Sequence, residues 1–242
     1  MAEWFASVKA EFELNFIKAD RWEYLVTGLG NTLLLTLVAL IVGVLIGIVV
    51  AAVRSTYDKT AETARPSFGR HVFGFFNGLC KVYLTVVRGT PVVVQVMIFF
   101  YVIFATAKDG TMVAALAFGI NSGAYVAEII RGGIMSIDNG QFEAGRSLGF
   151  NYLQTMRYII VPQTIKNVLP SLMNEFIALL KETSVAGYVA VQDLTKAGDI
   201  IRSRTYSAFM PLIAVALIYL IVVMFFTWLV GKLERRLRAS DH

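Results

Sequence analysis

Charge is scarce in this sequence: Asp, Glu, Lys and Arg make up 16% of 242 residues, against 57% hydrophobic. That balance, with a mean hydropathy of +0.65, excludes a disordered, collagenous or ordinary soluble chain. A single cysteine, Cys80, cannot build an intramolecular disulfide framework. Two distant histidines, His71 and His242, cannot form a metal site without other ligands, and no Ser/His/Asp arrangement survives inspection. A phosphate-cradling G-x-x-x-x-G-K-[ST] loop is also missing, because Gly231-Lys232 is followed by Leu233 and lacks the upstream glycine. Enzyme activity and direct ATP binding are therefore not expected of this chain. No nucleic acid is expected either: the net charge of +5 falls between apolar runs and at the tail, which fits membrane orientation.

What the chain does have is long apolar runs. Residues 29–53 are free of charge and, at about 1.5 Å per residue, long enough to cross about 30 Å of hydrocarbon. Further spans are expected over 77–107 (carrying Pro91), 111–134, 167–191 and 209–231. The expected fold is an all-α integral membrane protein of five helices, with a transmembrane domain over 28–237 and a short tail over 238–242. Residues 1–27 lack the n-region and cleavage site of a secretory signal. There Phe5, Val8, Phe12 and Phe16 recur at helical spacing, as in a helix lying in the headgroup region.

Five spans put the termini on opposite sides. Arg54, Lys59, Arg65, Arg70, Lys81, Arg131, Arg146, Arg157, Lys166, Lys232, Arg235, Arg236 and Arg238 lie on one side, thirteen in all. Seven, namely Lys9, Lys18, Arg21, Lys108, Lys196, Arg202 and Arg204, lie on the other. The positive-inside rule places the C-terminus in the cytoplasm and the N-terminus outside. Gly43 and Gly47, and Gly119 and Gly123, form two G-x-x-x-G motifs suited to close helix approach.

Polar groups that lipid would penalise concentrate in two spans. Glu175 and Glu182 are seven apart on one helical face, with Asn174 and Lys181 beside them; Asn121, Ser122 and Tyr125 cluster in the third span, one turn before Glu128. Two readings are open: interhelical hydrogen bonds and ion pairs that hold the bundle together, or a polar cavity suited to a zwitterionic solute. In the loop 136–161, Asp138 or Asn139 caps a helix start, Glu143 sits in its first turn, and Gly149 ends it in the left-handed conformation. A helix of about nine residues is not stable alone and needs a partner or the membrane surface.

Glu143-Ala144-Gly145, Gly149, Ile159 and Val161-Pro162 resemble the cytoplasmic loop E-A-A-x3-G-x9-I-x-L-P of ABC importer permeases, with Gly145 in place of the second alanine and Val161 in place of leucine. Arg88-Gly89-Thr90-Pro91 with Gln95, Asn121 through Gly133, and Asn174-Glu175-Phe176 through Ser184 narrow the likeness to permeases of polar amino acid uptake systems, of the histidine, glutamine, arginine and glutamate type. The resemblance implies a type I importer core in the prokaryotic inner or plasma membrane. It implies as partners two ATP-binding cassette subunits that bind ATP and Mg, a second permease (the same chain or a paralogue), an external binding protein and a polar amino acid. This chain itself would hold no cofactor. The segment Glu143, Ala144, Gly145, Ser147, Leu148 and Gly149 would couple to the ATPase, and Asn121, Ser122, Tyr125, Asn174, Glu175, Thr183 and Ser184 would contact substrate. An ion-coupled secondary transporter and a non-transporting structural subunit or channel are the alternatives; neither has a use for an ATPase-docking helix.

Overall fold

The computed structural model describes residues 1–60 and 68–239, in which every regular element is helical and no strand occurs. Arg65 and the end of the tail, including His242, lie outside the described residues. In chain order the helices are α1 (Ala2–Phe12), α2 (Trp22–Thr60), α3 (Phe68–Gly89), α4 (Val92–Ile98), α5 (Gly110–Met135), α6 (Asn139–Ser147), α7 (Tyr152–Thr155), α8 (Val161–Glu182), α9 (Leu194–Thr205) and α10 (Phe209–Ala239). Three are long and apolar enough to cross a bilayer: Trp22–Lys59, Gly110–Met135 and Phe209–Leu237. Phe68–Gly89 and Val92–Ile103 qualify only when taken together as one broken span. α8 has the length, 22 residues, but carries Lys166, Glu175, Lys181 and Glu182, so composition keeps it out of that set.

Two boundaries differ from the sequence reading for stated reasons. The second span does not run through Pro91: the helix stops at Gly89, and the Thr90 hydroxyl donates to the Val86 carbonyl (2.9 Å). Proline offers no N–H and steers the preceding residue away from helix, so the break falls at Thr90-Pro91. The helix expected as the fourth span starts earlier, at Val161, and its α-helical part ends at Glu182, tightening into a 3-10 turn over Thr183–Val189.

The chain divides into two compact units. The first comprises Met1–Ala39, Val92–Phe118 and Ile177–Leu229; the second comprises Leu40–Pro91, Gly119–Phe176 and Val230–His242, of which residues 61–67 and 240–242 are not described. The core of the first unit joins Phe16 and Leu25 to Leu194, Ala197, Ile201 and Val215. α1 leads there through a wide π turn at Glu13–Ile17, in which Asn15 is buried and accepts a hydrogen bond from the Thr205 hydroxyl (2.8 Å). Of the apolar N-terminal side chains, Phe16 is therefore core, while Trp4, Phe5 and Phe12 stay exposed. α10 exposes Leu217, Leu220, Ile221, Met224, Phe225 and Trp228, an apolar surface that suits lipid.

The second unit rests on glycine-mediated contact of α2 with α5. A Cβ on Gly43 would stand 3.1 Å from the Ser122 Cβ, one on Gly47 2.5 Å from Val126, and one on Gly123 3.0 Å from Ile46. Both motif glycines of α2, and Gly123 of α5, thus sit where the helices touch. Val50, Leu84, Ala124 and Ala127 form the adjoining core.

Candidate functional site

α6 is built by local chemistry at both ends. The Asp138 carboxylate accepts from the Gly140 N–H (2.7 Å), which satisfies one of the donors a helix start leaves free. At the far end Gly149 takes φ +81°, its N–H reaches the Arg146 carbonyl (2.9 Å), and the Phe150 N–H reaches that of Gly145 (3.0 Å). This is a Schellman stop, and glycine takes that left-handed φ without a Cβ penalty. A capping box of Asn151 and Gln154, with both bonds 2.9 Å, opens α7 immediately after.

Two residues seat α6 in the second unit. Phe142 is buried with Ile134, Ile137 and Ile160, and Lys59 lies 4.6 Å over its ring while bonding the Asn139 amide oxygen (2.7 Å). Gly145 is buried as well: a Cβ there would stand 2.7 Å from both Thr155 Cγ2 and Thr155 Oγ1. The glycine that departs from the E-A-A spelling is thus a close-packing residue against α7. Glu143, Ala144, Ser147, Leu148 and Gly149 remain exposed, Leu148 by 71%.

The polar clusters of the third and fourth expected spans meet within the second unit. The hydroxyl of Ser122, a fully buried residue of α5, donates to Glu175 Oε1 of α8 (2.8 Å). A carboxylate in apolar surroundings needs such donors. Asn121 is buried beside Ser122, Tyr125 is half-buried with the Arg88 guanidinium 5.7 Å over its ring, and Asn174 is exposed. Glu128 binds Arg131 (2.9 Å) and lies 3.9 Å from Arg88, while Arg131 also faces Asp58 (3.6 Å). Tyr83 of α3 donates to the Ile120 carbonyl, 2.5 Å away.

Thr183 and Ser184 belong to the first unit. Thr183 is fully buried, donating to the Leu180 carbonyl (2.9 Å) and lying 3.4 Å from the Thr36 hydroxyl. Ser184 lines a cavity of about 390 Å³ with Tyr188, Thr195, Lys196 and Asp199. Lys196 and Asp199 pair across 3.1 Å, and hydrogen bonds from Arg202 and Lys196 hold the Asp199 carboxyl below its usual pKa. The seven proposed substrate residues therefore fall into two groups, with Asn121, Ser122, Tyr125, Asn174 and Glu175 in one unit and Thr183 and Ser184 in the other.

A protein family described as the binding-protein-dependent transport system inner membrane component matches residues 43–239. This chain belongs to that family. A putative glutamine transport system permease protein of Rickettsia bellii is 37% identical over 184 residues, covering 70% of this chain and 84% of its own length. The glutamine transport system permease protein of Escherichia coli K12 is 37% identical over 166 residues, covering 67% and 76%. An arginine transport system permease protein of Bacillus subtilis is 35% identical over 185 residues, covering 70% and 84%. A crystal structure of an amino acid ABC transporter with histidines superposes at a TM-score of 0.78, with 38% identity, over 91% of this chain and 98% of that one. A methionine ABC transporter in an inward-facing state, 19% identical with a TM-score of 0.74, shares the fold.

As an inner membrane component of such a system, the chain is a multi-pass permease subunit and not the ATP-hydrolysing part. Several side chains that this architecture sets at polar sites were not among the sequence candidates. Arg88 belongs to the Arg88-Gly89-Thr90-Pro91 segment, and Lys81, one of the thirteen cations of the expected cytoplasmic side, lies inside α3. Thr195, Lys196 and Asp199 fall between apolar spans, so hydropathy gave no signal for them.

Proposed function

We propose that this permease subunit carries a polar amino acid inward as half of the membrane core of an ATP-driven type I importer. The observation that carries the reading is α6, a nine-residue helix capped at both ends, seated by Phe142 and Gly145, with Glu143, Ala144, Ser147 and Leu148 left open. A short rigid helix with a free face is suited to a cleft in a partner ATPase, whose closure would move it as a lever. Its anchors, Phe142 on Ile134 and Gly145 on Thr155, would pass that movement to α5 and to the start of α8.

In this reading the chain crosses the membrane five times. α8 is the polar crossing that hydropathy misses, and α3 and α4 are two parts of one crossing. The N-terminus is outside and the C-terminus is cytoplasmic. Asn121, Ser122, Tyr125, Asn174, Glu175, Thr183 and Ser184 are the candidates for contact with the solute. A zwitterion needs partners for both its charges once dehydrated, and the Ser122–Glu175 pair supplies a carboxylate held by a neutral donor. The relatives' names, glutamine and arginine permeases, support an amino acid as cargo. A second permease, two ATPase subunits and an external binding protein complete the machine.

The test is uptake of labelled amino acids into proteoliposomes containing the chain with its ATPase and binding protein. Accumulation requiring both ATP and the binding protein is expected; accumulation driven by an ion gradient without ATP would overturn the reading. Glu143→Lys and Gly149→Leu are expected to abolish uptake while ATP hydrolysis continues uncoupled, and unchanged uptake in both would count against the lever.

A further inference from the structure

The second unit contains a cavity of about 440 Å³ that neither the solute residues nor α6 uses. Arg54 of α2 and Lys81, Thr85 and Arg88 of α3 line it, with Glu128 of α5 as its one carboxylate. Lys81, Thr85 and Arg88 lie four and three residues apart, so they form one stripe of α3 turned to the same space.

The charges there do not balance. Glu128 is taken by Arg131 at 2.9 Å, and only a 3.9 Å contact remains for Arg88. Lys81 has no ion-pair partner among the described residues. Arg54 reaches the Asn77 amide oxygen through Nη1 (3.4 Å), while its Nε is buried without an acceptor among the described residues. Buried guanidinium donors are nearly always satisfied, and three cations around one space repel one another unless an anion joins them. An oxyanion with several acceptor oxygens would satisfy the Arg54 N–H and offset the neighbouring cations, and a guanidinium fork and an ammonium grip such a group well.

Position and flanking surface narrow the source. Arg54 is the first charge after the uncharged run 29–53, so in the orientation read from the cation bias the cavity stands at the inner edge of the hydrocarbon. On α3 the cation stripe is bordered by Val82 and Val86, exposed by 61% and 56%, which offer an acyl chain an apolar track beside the charges. We propose that Arg54, Lys81 and Arg88 form a binding site for the phosphate of an inner-leaflet phospholipid, with the lipid tail lying along Val82 and Val86. Basic recesses between helices near the cytoplasmic surface are suited to acidic headgroups, with each nearby cation contributing roughly fivefold in affinity.

The test uses the full-length chain in nanodiscs of phosphatidylcholine, with increasing phosphatidylglycerol and thermal unfolding as the readout. Stabilisation saturating with phosphatidylglycerol is expected, and Lys81→Gln/Arg88→Gln should weaken it roughly 25-fold. Lys81→Arg should retain it, and Lys9→Gln, a highly exposed cation on α1, should leave it unchanged. The glutamine double variant also meets a phosphorus assay of lipid retained through detergent purification, so a folding defect is distinguishable from lost binding. Equal binding by wild type and double variant would overturn the site. Inorganic phosphate replacing the lipid would overturn its lipid origin. A raised uptake KM in the variants, the same in neutral and acidic membranes, would assign the cations to the solute path instead. Unfolding and phosphorus measurements need no transport, so their failure leaves the importer reading intact.

Discussion

α6 and α9 are both short helices lying between long ones, and they are secured in opposite ways. α9 is sewn into the first unit from its first residue. The Thr32 hydroxyl accepts from the Leu194 N–H (3.0 Å), and the Asp193 carboxylate accepts from Thr195 (3.1 Å) and Lys196 (2.9 Å). Three of the free donors at its start are therefore satisfied inside the protein. Leu194, Ala197, Gly198 and Ile201 bury one whole face. α6 has an exposed cap with a single bond and buries only Phe142 and Gly145. The difference separates a helix that its own unit holds in full from one left with a face to give to something else.

Exchanging the two caps for alanine tests that contrast most severely. Asp193→Ala strands two N–H groups at a site with 0% exposure, and is expected to cost about 2–4 kcal/mol, against about 1 kcal/mol for the exposed Asp138→Ala. Thermal unfolding of the purified chain gives the comparison, and the reverse order would refute it. Burial pushes the Asp193 carboxyl above its usual pKa, more than the N–H bonds from Lys196 and Thr195 pull it down. A raised folded-state pKa favours the folded form when the group is protonated, and that contribution is lost as pH rises through the raised value. Asp193→Asn, which keeps an acceptor oxygen and removes the charge, is therefore expected to cost less than alanine. Wild type should gain on Asn as pH falls from 7 toward the ordinary carboxylate range.

The buried glycines give the next effect. Gly198→Ala would put a Cβ 2.5 Å from Val215 Cγ2, and Gly145→Ala one 2.7 Å from Thr155. Each is expected to cost about 1–3 kcal/mol by overpacking. Gly145→Ala restores the family spelling and still destabilises in this chain, because Thr155 fills the space. Combining it with Thr155→Ala should return most of the loss, and a double-mutant cycle with no coupling would show that the two do not touch. In uptake assays Gly145→Ala should also raise ATP hydrolysis per solute moved, whereas Gly198→Ala should lower both together.

How far the sequence foretold these helices follows from how local their chemistry is. α6 was legible because Asp138 and Gly149 lie within a residue or two of its ends and carry the cap and the stop themselves. α9 carries a cap just as local, Asp193, but its polar face hides the helix from hydropathy; only the Leu194 N–H, satisfied by Thr32 162 residues earlier, lay beyond the reach of the sequence. The polar cluster around Ser122 and Glu175 could be read, since lipid penalises such groups wherever they pair; that these two bond, 53 residues apart, could not. The break at Thr90-Pro91 was missed because a proline is compatible with either a kinked or a broken helix. The cations Arg54, Lys81 and Arg88 share a cavity only because α2 and α3 carry them there.

The smallest expected effect comes from Lys59, a side chain of α2 that grips α6. Its ammonium spans the solvent-exposed Asn139 amide oxygen at 2.7 Å and the buried Phe142 ring at 4.6 Å, so Lys59→Ala is expected to cost below about 1 kcal/mol of stability. Were α6 held as α9 is, that loss would be all there is to see. A helix that works as a lever must instead transmit force through few contacts, and removing one slackens it without unfolding it. Lys59→Ala should therefore reduce the coupling of ATP hydrolysis to uptake far more than it lowers the unfolding temperature. Lys59→Arg, which keeps both contacts, should restore the coupling, and parallel small losses in coupling and stability would make α6 a passive connector.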